Sequence, residues 1–364
     1  MNNFPAYCNS TSMGILPHVD EKKALNLALS LDIPFWPQLP LKDFRDDMWA
    51  QFSRDFPGII VDFENKKVRL DKTKFYEELN DYSLKMDDIS SFEIKEEHST
   101  TFYKFLDMDL STYPAIRGQV TGPLNLGFRI LDEENKPIIY HDDIRELLFD
   151  FVKKKILWQY NKLKEKNKNA FIWIDEPGIA WTFSSFSGYN DIQAKNDLTD
   201  LYSGFPRPRG LHLCINVDMD YLTDFDIDIL SFEAYQMEIL TKSAACALGK
   251  FLGKGKIISW GIVPTVSVFL DKETPDTLTE RLIHYMKQIE MYGGVSSERV
   301  ARQSLVAPAR CCLKNADLTD LKKNPHHRIE EIEQGIEEEL VEKAIEYTIE
   351  ISRKLKKGLD FCNG

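Results

Sequence analysis

The stretch "GLHLCIN" (210–216) sets His212 and Cys214 two residues apart in a run otherwise built of Leu and Ile. Side chains alternate across a strand, so this spacing sends His212 and Cys214 to one face and Leu211, Leu213 and Ile215 to the other. Imidazole and thiolate are both first-rank zinc ligands. Two core residues with satisfied polar atoms would leave the same pattern, so the pair gains its meaning from its neighbours. In "DILSFEAY" (228–235), alternation puts Ile229, Ser231 and Glu233 on one face, and "SLVAPARCC" (304–312) ends in Cys311 and Cys312. A buried Glu without a partner is costly, whereas a divalent cation would keep it ionised. One His, two Cys and one Glu make a zinc set.

Two thiolates and a carboxylate give Zn²⁺ a formal excess of negative charge, which makes it a poor activator of water. Such a centre can still bind an incoming thiol, lower its pKa and leave it nucleophilic. The chemistry expected is therefore alkylation of a substrate sulfur rather than hydrolysis. "FIWIDEPGIAW" (171–181) supplies a second constellation, because Phe171, Trp173 and Asp175 share a face and Asp175 ends the run. A carboxylate there could hold a substrate ammonium; the alternative use is to cap a helix in the following loop.

These residues need a scaffold that brings strand ends together. Eight β-rich runs alternate with charged amphipathic stretches, the count of a (β/α)8 barrel. They are 13–18, 33–40, 115–123, 170–177, 210–216, 228–235, 256–265 and 304–312. Helices are expected over 20–31 with Asp20 as N-cap, over 142–166, and over 275–293 with Gly293 at its end. A last helix from Arg328 to about Leu359 carries the apolar stripe Ile329, Ile332, Ile336, Leu340 and Ala344. "GIIVDFENKKVRLD" (58–71) reads as an inserted β-hairpin. No repeat or linker divides the chain, so residues 1–364 are expected to form a single α/β TIM barrel, with catalytic groups at the C-terminal strand ends.

Composition removes some partners. The formal charge of −12 disfavours a broad phosphate-binding face, so nucleic acid is not expected. No apolar run is long enough to span a bilayer and the opening residues lack the pattern of a secretory signal, which together predict a cytoplasmic protein. Six unevenly spaced cysteines do not form a disulfide framework.

Taken together, "HLC", the Glu of "SFEAY", "VAPARCCLK", "IDEP" and "TGPLNL" resemble the catalytic barrel of cobalamin-independent methionine synthase, within a superfamily that includes uroporphyrinogen decarboxylase. The resemblance runs from about Gly14 to Lys314 and lacks the separate N-terminal barrel of the full-length synthases. It implies zinc held by His212, Cys214, Glu233 and Cys311, with Cys312 standing where that family has glycine, so that either adjacent cysteine is a candidate. It also implies contact between Asp175 and the amino group of homocysteine. The family's substrate-holding serine falls on Ile15, with His18 close behind, and Tyr235 joins His18 as a candidate pocket residue. The family's catalytic histidine falls near Val263, where there is no His.

The resemblance thus implies a zinc-dependent methyltransferase that activates a small thiol, homocysteine first, in methionine biosynthesis. A methylated corrinoid, carried by a partner protein, suits it better as donor than methyltetrahydrofolate, because Co(I) leaves without needing a proton. Two other readings compete. One is a metal-free decarboxylase using Arg117, and the other is a non-catalytic barrel that binds zinc or docks a corrinoid protein.

Overall fold

The structure, a computed structural model, describes residues 4–184, 188–215, 217–237, 239–312 and 329–361. Seven strands form one parallel sheet: β1 (Asn9–Ser10), β4 (Arg117–Thr121), β5 (Phe171–Asp175), β6 (Arg209–Leu213), β7 (Ile229–Glu233), β8 (Ile257–Val263) and β9 (Ser304–Pro308). Their order is β1-β9-β8-β7-β6-β5-β4. The inserted hairpin is present as β2 (Ile59–Asp62) paired antiparallel with β3 (Lys67–Leu70).

Two of the expected strands differ from the sequence reading. Over 13–18, the only ladder contact among the described residues is an isolated bridge from Ile15 to Gln38, and regular pairing falls earlier, on Asn9–Ser10. Over 33–40, Pro34, Pro37 and Pro40 remove three N–H donors, so a continuous ladder cannot form. That segment still touches both edges of the sheet. The Ile33 amide donates to the Ser10 carbonyl and the Arg117 amide to the Pro34 carbonyl, each at 2.9 Å. Phe35 bridges to Arg117 and Gln38 to Ile15. The result is a curled parallel sheet compatible with a TIM-like barrel.

Alternation along the strands sorts the core into layers. Phe171, Trp173, Ile229, Ile257, Leu305 and Ala307 pack together on the inner face with Met13 and Ile33. Ile172, Ile174, Leu211, Leu213, Leu230 and Phe232 belong instead to the larger cluster shared with the helices, including Ile144, Leu148, Val152 and Ile156 of the helix Asp142–Lys166. β4 and β6 through β9 are buried along their full length, as parallel strands covered on both faces must be.

The helices start and stop for local reasons. Asp20 accepts from the amides of Lys22 and Lys23 and opens the helix Glu21–Leu29. Thr274 and Thr277 form a reciprocal cap ahead of Pro275 at the start of Pro275–Gly293. The left-handed residue that ends this helix is Gly294, at φ +69°, and not Gly293 as the sequence suggested. Gly293 is needed for packing instead. A Cβ on Gly249 would lie 2.5 Å from its Cα, so the helices Lys242–Gly253 and Pro275–Gly293 meet backbone to backbone. The final helix, Ile329–Phe361, buries Leu340, Val341, Ala344 and Ile345. The side chains of Ile329 and Ile332, expected on the same stripe, lie outside the described residues, as do Leu313 and Lys314. Among the described residues no helix is long and apolar enough to cross a membrane.

Candidate metal and thiol site

Because Leu211 and Leu213 pack outward, His212 faces the inner side of the sheet at the end of β6, and Cys214 follows one residue beyond the strand. Register then aligns the neighbours. Asp175 is opposite His212, His212 is opposite Ser231, and Glu233 ends β7 two residues later.

The imidazole of His212 is held on two sides. Its Nδ1 lies 3.0 Å from the Ser231 hydroxyl, and its ring stacks on Trp173 at 5.7 Å and 18°. Burial, then the nearby positive charge of Arg117, pushes its pKa down to about 3, so the ring is neutral. A neutral imidazole with Nδ1 engaged offers Nε2 to a metal.

Cys214 is half-buried, and its thiol is pushed up to about 12, first by burial and then by Cys311 and Asp175, against the pull of Arg310. A thiolate there therefore needs a cation. The mutual influence of Cys214 and Cys311 sets them in one electrostatic neighbourhood. Cys312 points the other way. It is fully buried in a small cluster with Leu16, Phe35, Val341 and Ile345, and its Sγ lies 3.7 Å from the Arg310 carbonyl. Of the adjacent cysteines, Cys311 is the one on the side of the mouth.

Glu233 has an unforeseen partner: Arg310 Nε donates to its Oε2 at 2.9 Å. Burial raises the Glu233 pKa while Arg310 opposes the shift. Among the described residues, only His18, Glu338 and Glu342 bring three donor atoms within 4.8 Å of one another, so no three of His212, Cys214, Glu233 and Cys311 gather within that distance. The three that do gather already hold a cation, since Lys23 Nζ lies 3.1 Å from Glu338 and 2.6 Å from Glu342.

The "IDEP" box divides its labour. Asp175 is half-buried at the end of β5, with a carboxyl pushed up to about 7 by burial and held back by Arg117. Glu176 takes the capping role. It is fully buried and accepts from the amides of Leu124 at 3.1 Å and Asn125 at 2.6 Å, at the start of the helix Pro123–Arg129. Arg117 is also fully buried, its guanidinium 4.2 Å from the Trp173 ring and 5.1 Å from that of Phe35.

The remaining candidates sit elsewhere. His18 is wholly buried with Nε2 3.3 Å from Glu342 of the last helix. Ile15 is buried beside Gln38. Tyr235 is half-buried, donates to Glu273 at 3.1 Å and lies under the Arg281 guanidinium. Val263 ends β8 and is buried.

Sequence reasoning passed over Arg310 and Glu176. Alternation gave no hint of Arg310, because β9 ends at Pro308 and the period of two lapses beyond it. The signal for Glu176 was the pairing of "TGP" with "DEP": a Cβ on Gly122 would come within 1.9 Å of Glu176 Oε2, so only glycine admits that carboxylate.

No protein-family model and no curated protein matches the chain. Among the solved structures similar to it are two methyl-transfer enzymes. One is a B12-independent methionine synthase from Shewanella sp. W3-18-1 in complex with selenomethionine, with TM-score 0.41 and 14% identity over 66% of this chain. The chain spans 62% of that protein's length. The other is a methyltransferase from Methanosarcina mazei, with TM-score 0.48 and 15% identity, over 85% of this chain and 88% of that one.

Proposed function

We propose that this protein is a zinc-dependent methyltransferase that activates a small thiol, with homocysteine as the first candidate acceptor. One observation carries the reading: Asp175, His212 and Glu233 stand at the C-terminal ends of three adjacent parallel strands, with Cys214 and Cys311 in one electrostatic neighbourhood beside them. The C-terminal strand ends are where barrels of this class keep their chemistry.

The donor set suits the metal. His212 is neutral with Nδ1 engaged, two thiols lie beside it, and Glu233 could join once Arg310 lets go. Bound there by His212, Cys214, Cys311 and Glu233, zinc would lower the pKa of an incoming thiol and keep its sulfur nucleophilic. Asp175 orients the acceptor by accepting from its ammonium, and Trp173 keeps the His212 ring in plane. In the transfer, a sulfur–carbon bond forms as the donor–methyl bond breaks, the electron pair stays with the donor, and the thiol proton passes to solvent.

The donor that fits best is a methylated corrinoid presented by a partner protein. β8 ends at Val263, and the sequence has no histidine near that position to protonate a departing amine, whereas Co(I) leaves without a proton.

Zinc content with X-ray absorption at the metal edge, before and after homocysteine, tests this. A new sulfur ligand replacing oxygen or nitrogen is the expected result. Stoichiometric zinc with an unchanged shell would discard homocysteine as acceptor, and protein that takes up no zinc would overturn the reading.

A further inference from the structure

Arg310 immediately precedes Cys311, so one turn carries both a metal donor and a rival to the metal. Its Nε donates to Glu233 Oε2 at 2.9 Å, the Glu233 side chain being only 5% exposed and that of Arg310 39%. A carboxylate buried to that degree requires a cation or a set of donors. Here the cation is Arg310. A divalent ion bound at the same carboxylate would stand within a few ångströms of the guanidinium, where two positive charges repel. Metal and guanidinium therefore compete for this carboxylate.

We propose that Arg310 is a resident cation of the mouth that competes with a metal for Glu233 and thereby lowers the affinity for zinc. The inference rests on the zinc reading above. Glu233 is held by Arg310, and that partner sits just past the end of β9 on the turn that delivers Cys311. Metal binding at Glu233 would exchange one cation for another, with Arg310 released toward solvent, where more than a third of its side-chain surface already lies.

The test uses the full chain stripped of metal, with Zn²⁺ alone titrated against a chromophoric chelator. Four proteins are compared: wild type, R310Q, E233Q and the double variant. R310Q should bind zinc about ten-fold more tightly or more, the scale on which partners of metal ligands act. In the E233Q background, the same Arg310 change should have no further effect, because the carboxylate over which the two cations compete is gone. Equal affinity in wild type and R310Q would remove the role of Arg310 and leave the zinc reading standing. A gain that persists undiminished in the E233Q background would mean general charge repulsion and would also overturn the proposal. Absence of zinc from all four proteins would remove both readings. The partial exposure of Arg310 lets Gln replace it without burying a new polar group, and thermal unfolding of each variant verifies the fold.

Discussion

Ser231 decides which nitrogen His212 can offer. With its hydroxyl 3.0 Å from Nδ1, the hydrogen bond fixes the ring's orientation, while Trp173 fixes its plane. Substituting Ser231→Ala frees Nδ1 and lets the ring present either nitrogen. The residue is buried and the change removes one oxygen, so the fold should survive. Zinc affinity should fall by about ten-fold, the usual consequence of losing the hydrogen bond behind a ligating histidine. A chelator competition titration measures it, and an unchanged affinity would mean that Trp173 alone holds the ring. Ser231 was visible in the sequence as the residue sharing a face with Glu233. Its partner was not, since register between β6 and β7 cannot be read from either strand alone.

At the scale of elements, the Gly122–Glu176 junction ties two strand ends to one helix. Glu176 caps Pro123–Arg129 from the loop after β5, and the absent Cβ of Gly122 is the space it uses. Substituting Gly122→Ala should expel the carboxylate and leave two amides at the helix start unsatisfied. The expected loss is about 2 to 3 kcal/mol of stability, from the cap and the uncompensated donors together. Urea unfolding would read it as a lower midpoint at unchanged slope; an unmoved midpoint would show that Glu176 can reach the amides by another path. Regular elements such as Asp142–Lys166 and the hairpin were legible because one strong pattern governs each. The failures cluster where the pattern is overridden. Prolines break the ladder of 33–40, and the left-handed φ that closes Pro275–Gly293 falls on the second of two adjacent glycines because the first is needed for close packing. For the candidate site, the facing direction of His212 and Glu233 was legible, because alternation controls it. The state of Glu233 was hidden because Arg310 reaches it from 77 residues away, past the end of its own strand.

Across the whole molecule, buried charge far from the mouth leaves a signature in how stability depends on pH. Lys155, on the outer helix Asp142–Lys166, is almost completely buried, its Nζ 3.4 Å from the Glu93 carbonyl and 5.2 Å from the Phe151 ring. Burial lowers its pKa from 10.5 to about 8, with Asp55 opposing the shift and Lys95 and Arg54 adding to it. Below pH 8, folded and unfolded chains both carry the proton, and the fold bears the whole cost of the buried ammonium. Between about pH 8 and 10.5, the folded chain releases its proton while the unfolded chain keeps one, so this residue makes stability rise with pH. A shift of this size corresponds to about 3 kcal/mol across the window. Substituting Lys155→Met removes the titration and keeps most of the side-chain volume. At pH 7 the variant should therefore melt at or above the wild-type temperature despite losing the hydrogen bond to Glu93. Wild type should then gain on it steadily from pH 8 to 10. Melting curves at matched ionic strength decide the matter: a wild-type to variant difference that stays constant over that range would mean that Lys155 keeps its proton in the folded chain.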